Sequence, residues 1–222
     1  MTWALIFDLD GTLVDTAPDL LGATNAVLAA AGRPQVDTAA LRHMVGFGAK
    51  SLITQAMAAT GTPAESGQMD RLLAVFMEHY RAHLADFSRP FPGVEETLKR
   101  LQSEGVKMGI LTNKPAELTT PLLEKLNLAG YFGAVYGAGL KSYTKPDPRI
   151  FHDVVRDLGV LDGRAVMIGD SITDLSTARA AGAPCILMSY GYTPEPARTL
   201  GADMVLDDFS ELPASLARLP AA

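Results

Sequence analysis

Cys185 is the only cysteine in the 222 residues, so neither an intrachain disulfide nor a cysteine-built metal site can form. That suits a reducing compartment. No apolar run approaches the ~18 residues that a membrane span requires. The chain opens directly on an apolar run that ends at Asp8, with no basic lead and no small-residue cleavage site. The expectation is a cytoplasmic protein that does not engage a membrane. Basic runs are missing as well. Net charge is −6 with both signs interspersed, which offers nothing to track a nucleic-acid backbone. The apolar share of 48% is ample for a sizeable core. At 222 residues the chain is long for one domain and short for two, which fits a domain carrying an insertion. Oligomeric state leaves no mark here.

What is present are short apolar runs rich in Val, Ile and Leu. They read as buried parallel strands near Ala4–Phe7, Met108–Thr112, Ala134–Tyr136, Ala165–Gly169, Cys185–Met188 and Met204–Leu206. Between them Val94, Leu98 and Leu101 recur at helical spacing, as do Ile150, Phe151, Val154, Val155 and Leu158. Gly105, Gly130, Gly159 and Gly182 fall where such helices should stop. Strand and helix alternate from about Gly93 onward, which predicts an α/β fold with a doubly wound parallel sheet. Residues 15–87 break the alternation. They hold no good strand and helices near Asp19–Ala31, Thr38–Met44, Ala49–Ala59 and Gln68–Leu84, the last with Met69, Leu72, Leu73, Phe76, Tyr80 and Leu84 on one stripe. The expectation is a core domain of residues 1–14 and 88–222, interrupted by an all-helical cap domain of residues 15–87 with its own small core.

Four stretches stand at or beside strand ends: Asp8-Leu9-Asp10-Gly11-Thr12, Thr112-Asn113-Lys114-Pro115, Lys145-Pro146, and Gly169-Asp170-Ser171-Ile172-Thr173-Asp174. Ligands of an open parallel sheet collect outside the carboxyl ends of its strands. The stretches would bring together carboxylates, a hydroxyl, an amide and a lysine, a set suited to a divalent metal and a phosphoryl group. Asp8 and Asp10, two residues apart on an extended chain, point to one side roughly 7 Å apart. Gly11 permits a tight turn and Thr12 can tie down the loop. Each stretch also has a plainer reading. The first can be an acidic turn, although Leu13-Val14 denies the further ligands of a calcium loop. Asp170, Ser171 and Asp174 can be helix caps, Thr112-Asn113 an ordinary strand-to-helix loop, and Lys145 a solvated loop residue.

In this order the four stretches resemble the haloacid dehalogenase-like superfamily of phosphatases over nearly the whole chain. The resemblance implies Asp8 as nucleophile, Asp10 as general acid/base, and Lys145 as the cation steadying both nucleophile and phosphoryl oxygens. It implies phosphate binding by Gly11, Thr12, Thr112 and Asn113, and Mg²⁺ held by Asp8, Asp10 and Asp170 with Asp174 and Ser171 behind them. The insert resembles the family's alpha-helical cap, where Lys50 would meet phosphate or carboxylate and Arg42 stands nearby. Val45-Gly46-Phe47-Gly48-Ala49, Phe91-Pro92-Gly93-Val94 and Tyr190-Gly191-Tyr192 resemble the phosphoglycolate phosphatase group. That group usually has Gly-Gly-Asp before the motif lysine, whereas Gly137-Ala138-Gly139-Leu140-Lys141 stands here. The implied partner is a small phosphate ester such as 2-phosphoglycolate. A phosphomutase, or a phosphatase for a sugar phosphate, nucleotide or pyrophosphate, is the alternative. A signalling receiver domain shares the acidic pocket but needs neither Asp10 nor a helical cap.

Overall fold

The computed structural model describes residues 3–65, 67–160 and 164–219. Its elements run β1 (Trp3–Phe7), β2 (Val14–Asp15), α1 (Ala17–Ala30), α2 (Thr38–Arg42), α3 (Ala49–Ala59) and α4 (Met69–Ala82). After β3 (Arg89–Pro90) and α5 (Val94–Ser103) come β4 (Lys107–Pro115), α6 (Ala116–Lys125), β5 (Ala134–Ala138) and α7 (Pro148–Asp157). The chain closes with β6 (Arg164–Gly169), α8 (Ile172–Ala180), β7 (Cys185–Met188), β8 (Met204–Leu206) and α9 (Leu212–Leu216).

Six strands form one sheet in the order β5-β4-β1-β6-β7-β8, all pairs parallel. β1 is central, with Ala4 opposite Lys107 on one side and Ala165 on the other. Successive strand residues face opposite sides, and both sides are covered here. Leu5, Phe7, Met108, Ile110, Val166 and Ile168 pack with Leu98 and Leu101 of α5, Leu122 of α6 and Leu212 of α9. Ala4, Ile6, Met167, Cys185 and Leu187 meet Ile150, Phe151 and Val154 of α7 and Leu175 and Ala178 of α8. The continuous apolar runs are thus strands with two buried faces. Chain order reverses around β1, so the carboxyl ends of β4, β1 and β6 open onto one crevice.

Three helices end as the glycine positions predict: Gly105, Gly159 and Gly182 follow α5, α7 and α8 at φ 76, 71 and 68. The expected stop at Gly130 is corrected. Asn127 at φ 58 ends α6, its short polar side chain tolerating the left-handed region, while Gly130 sits in a short 3₁₀ turn.

Residues 17–82 carry α1 to α4, with α1 packed along α4 and touching α2 and α3. Their apolar side chains do not form a separate core. Leu9, Leu13 and Val14 join them to the sheet face in one cluster. A two-residue antiparallel ribbon, Val14 opposite Pro90 and Asp15 opposite Arg89, brackets the insert, and no strand was expected at that seam. Next to it the Asp19 carboxylate accepts hydrogen bonds from Phe87 N (3.0 Å), Ser88 N (2.7 Å) and Ser88 Oγ (2.6 Å), tying the start of α1 to the exit of the insert.

Candidate active site

Asp8 follows β1 directly and is buried, as are Lys145, Asp170 and Asp174. Asp8 Oδ1 accepts from Leu9 N at 2.7 Å and lies 3.0 Å from Lys145 Nζ. Lys145, joined to Pro146 by a cis peptide, also donates to Asp174 Oδ1 at 2.6 Å. Asp174 stands in the first turn of α8. Its Oδ2 accepts from Asp170 N (3.2 Å), Ser171 N (3.1 Å) and Ser171 Oγ (2.8 Å), so it caps the helix and anchors the lysine together. At the end of β6, Asp170 accepts from Thr12 Oγ1 (3.0 Å) through Oδ1 and from Tyr192 N (2.7 Å) through Oδ2. Asp8 Oδ2 has no partner among the described residues.

Asp8, Asp170 and Asp174 offer carboxylate oxygens within 4.8 Å of one another. Burial pushes the Asp8 carboxyl up to about 6; Lys145 opposes the rise, while Asp174 and Asp10 add to it. Asp170 is pushed well above the ordinary range by burial, then by the charges of Asp174 and Asp8. For Lys145, burial pulls down, but Asp174 and Asp8 together hold the ammonium above its ordinary value. Three buried carboxylates and one ammonium leave an excess of negative charge on hard oxygen donors. That donor set fits a hard divalent cation.

Beside this cluster stands a second one. Lys114 Nζ lies 3.1 Å from Asp10 Oδ1 and 3.4 Å from Oδ2, and donates to the Tyr80 hydroxyl of α4. Burial lowers the Lys114 ammonium and Asp10 opposes the shift, while burial together with the charge of Asp10 keeps Tyr80 well above its ordinary range. β4 runs past the expected end at Thr112 to Pro115, and Thr112 is buried within it, its Oγ1 accepting from Lys114 N at 3.2 Å. Asn113 reaches from β4 to Gly46 O of the insert (3.4 Å) and to Lys145 O (3.3 Å).

Glycine is required around Asp170. Gly11 holds φ 85, and a Cβ there would meet Asp170 Oδ2 at 2.6 Å; at Gly191 it would meet Asp170 Cβ at 2.1 Å.

Between sheet and insert lie two neighbouring spaces whose walls share Gly48, Ala49, Asn113 and Pro115. The inner one, about 40 Å³, is lined by Asp8, Asp10, Lys114 and Tyr80 with Leu52 and Phe76; the outer, about 580 Å³, by Lys145, Asn113, Lys50, Phe47 and Ile172. Lys50 is exposed at that outer mouth. Arg42 is turned away, paired with Asp15 at 2.9 Å and lying over the Tyr192 ring. Lys141 lies 3.7 Å from Asp153. Three residues of the crevice were not singled out from sequence: Lys114, Tyr80 and Tyr192. The only signals were Lys114's place in Thr112-Asn113-Lys114-Pro115 and Tyr192's in Tyr190-Gly191-Tyr192, while Tyr80 passes for one more member of an apolar stripe.

The model of the family described as haloacid dehalogenase-like hydrolase matches residues 5–188. The chain belongs to that family. It is 47% identical over 209 residues to a phosphoglycolate phosphatase of Caulobacter vibrioides, covering 94% of this chain and 88% of that one. With a phosphoglycolate phosphatase of Agrobacterium fabrum the identity is 43% over 211 residues, covering 95% and 91%. A crystal structure from Haemophilus somnus, described as a predicted phosphoglycolate phosphatase, superposes with TM-score 0.90 at 28% identity, covering 96% and 97%. This haloacid dehalogenase-like hydrolase is a phosphatase. No helix among its described residues is long and apolar enough to cross a membrane.

Proposed function

We infer that the phosphatase hydrolyses a small carboxylated phosphate monoester, 2-phosphoglycolate foremost, with Mg²⁺ and through a phosphoryl group carried on Asp8. One observation carries the mechanism. Among the described residues, Asp8 alone of the carboxylates at the strand ends and the start of α8 keeps an oxygen without a partner: Asp170 and Asp174 have both oxygens bonded, and both oxygens of Asp10 face Lys114. That free oxygen supports Asp8 as the nucleophile, attacking through Oδ2. It attacks phosphorus in line, the P–O bond to the leaving group breaks, and Asp10 gives that oxygen its proton. Asp10 then takes a proton from the water that cleaves the acyl phosphate. Lys145 holds Oδ1 of Asp8 in place and puts its charge beside the phosphoryl oxygens. Thr112 and Asn113 stand at the mouth of β4 to receive those oxygens.

Asp8, a main-chain oxygen of Asp10, and Asp170 would hold the Mg²⁺, with Asp174 and Ser171 behind them. The cation would neutralise the mutual repulsion of the carboxylates and polarise the phosphoryl group. The helical segment 15–87 acts as a cap over a core of residues 1–14 and 88–222, excluding water around the ester. The substrate reading is supported by the names of the relatives at 47% and 43% identity.

The test is phosphate release from phosphoglycolate, sugar phosphates, nucleotides and pyrophosphate with Mg²⁺ and with EDTA. Asp8→Asn is expected to abolish turnover, and Asp170→Ala to raise the Mg²⁺ requirement. Near wild-type release by Asp8→Asn overturns the mechanism. A preference above about tenfold, ~1.4 kcal/mol, for an ester without a carboxylate overturns the substrate and leaves the phosphatase standing.

A further inference from the structure

Lys114 is a cation of the crevice that the reaction above does not use. Its side chain is 1% exposed. An ammonium is not held in such a place without partners, and it has three N–H donors. Asp10 takes one, shared between oxygens at 3.1 and 3.4 Å, and the Tyr80 oxygen takes a second. The third has no hydrogen-bond partner among the described residues, although the ammonium also lies 4.3 Å from the centre of the Tyr80 ring. Since an ammonium can only donate, Tyr80 is the acceptor in that bond, and its own O–H is left free to donate. No other hydrogen bond of Tyr80 is found among the described residues, and its raised pKa keeps the proton in place. Two unused donors on adjoining side chains thus line the inner space that also reaches Asp8.

The other walls of that space include Leu20, Val45, Leu52 and Phe76. An anion entering it finds no second cation among its lining residues. The two other basic residues of the insert that the resemblance placed near the substrate stand elsewhere. Lys50 is exposed on the outer space, and Arg42 is occupied by Asp15.

We propose that Lys114 and Tyr80 form the receptor for the substrate's carboxylate, one oxygen taking the free ammonium N–H and the other the tyrosine O–H. The proposal rests on the small-carboxylated-ester reading and assigns the residues that read that group. Lys114 comes from the last residues of β4 and Tyr80 from α4 of the insert, so a carboxylate bridging them joins the two parts of the molecule across the ester. Asp10 stays on the same ammonium, which ties the far end of the substrate to the acid beside its bridging oxygen. An ester lacking the carboxylate leaves both donors buried and unpaired, and a site built to hydrogen-bond rejects such analogues strongly.

The experiment compares kcat/KM for 2-phosphoglycolate and ethyl phosphate in wild type, Lys114→Met and Tyr80→Phe, all with Mg²⁺. In parallel, calorimetry on the Mg²⁺-loaded proteins measures binding of 3-phosphonopropionate and propylphosphonate, an inert pair differing in the carboxylate. The carboxylate preference is expected to fall by about tenfold or more in Tyr80→Phe and about a hundredfold in Lys114→Met, in both readouts. If Lys114→Met does not fold, as judged by thermal unfolding, Tyr80→Phe decides alone, because it keeps the Lys114–Asp10 pair. A preference retained in the variants overturns the receptor and leaves the substrate reading intact. Equal losses on both members of each pair make Lys114 a support for Asp10 and likewise overturn it. A wild-type protein without carboxylate preference overturns the substrate reading itself, and the receptor with it.

Discussion

Removing the charge of Asp8, the proposed nucleophile, should make the metal-free protein more stable while it destroys turnover. In the folded chain Asp8 holds its proton up to about 6, against an ordinary value of 3.8, because burial and the neighbouring carboxylates disfavour its anion more than Lys145 favours it. The folded state therefore binds more protons than the unfolded state between those two values. The corresponding stability is present in full below about 4 and is lost as pH rises through about 6. At pH 8 the ionised group costs about 3 kcal/mol, taking ~1.36 kcal/mol per tenfold. Asp8→Asn keeps the shape and removes the charge, so in EDTA at pH 8 it should regain most of that amount. For a chain of this length that is a rise of about 6–12 °C in Tm. The gap should close toward pH 4, where the wild-type carboxyl is protonated as well. Adding Mg²⁺ should raise the Tm of the wild type and do little for the variant, since cation binding needs the charge. Thermal unfolding by circular dichroism from pH 4 to 8, with EDTA and with Mg²⁺, measures all of this. A variant no more stable than wild type at pH 8 in EDTA, or a gap that persists at pH 4, refutes the reasoning.

Asp10→Asn should lower kcat/KM for an alkyl phosphate by about a hundredfold or more and for an aryl phosphate by less than about tenfold, because a good leaving group needs no proton; equal losses in steady-state assays would contradict the acid role. Gly191→Ala drives a Cβ to 2.1 Å from Asp170 Cβ, and a Mg²⁺ titration of activity should show affinity lowered about tenfold or more. Asp19→Ala strips the acceptor from Phe87 N, Ser88 N and Ser88 Oγ. Urea denaturation should register a loss of about 2–4 kcal/mol, with Asp19→Asn losing less.

The sheet was legible because a strand covered on both faces must be apolar at successive positions, and Cys185–Met188 and Met204–Leu206 are delimited in the structure at the residues expected. The ribbon β2–β3 was not, since two residues a strand are too few to show a period. Gly130 misled because any glycine near a helix end looks like its stop, while the left-handed residue is Asn127. At the site, the strand tips announced themselves through residue type and order. Lys114 did not, because a lysine in a loop reads as solvated until Asp10 and Tyr80, from 104 and 34 positions away, are seen to bury it. Tyr80 obeys the helical stripe and is buried like the core residues around it, yet it also lines the crevice. Thr12, read as able to tie down the loop after Asp10, has its hydroxyl on Asp170.

Asp174 carries a consequence for how this molecule can change. One of its oxygens receives the amides and hydroxyl that start α8, and the other receives Lys145. Fraying of that helix would release the lysine, and release of the lysine would leave a buried carboxylate unpaired at the helix start. The local opening that lets many enzymes trade rigidity for activity is therefore closed at this point. An amide at position 174 would keep an acceptor for the helix but surrender the charge that faces the ammonium. A longer acid would keep the charge but misplace it for the cap. Few residues meet both demands at once, so variation that tunes this enzyme has to enter elsewhere, through the walls of the inner space and not through its foundations.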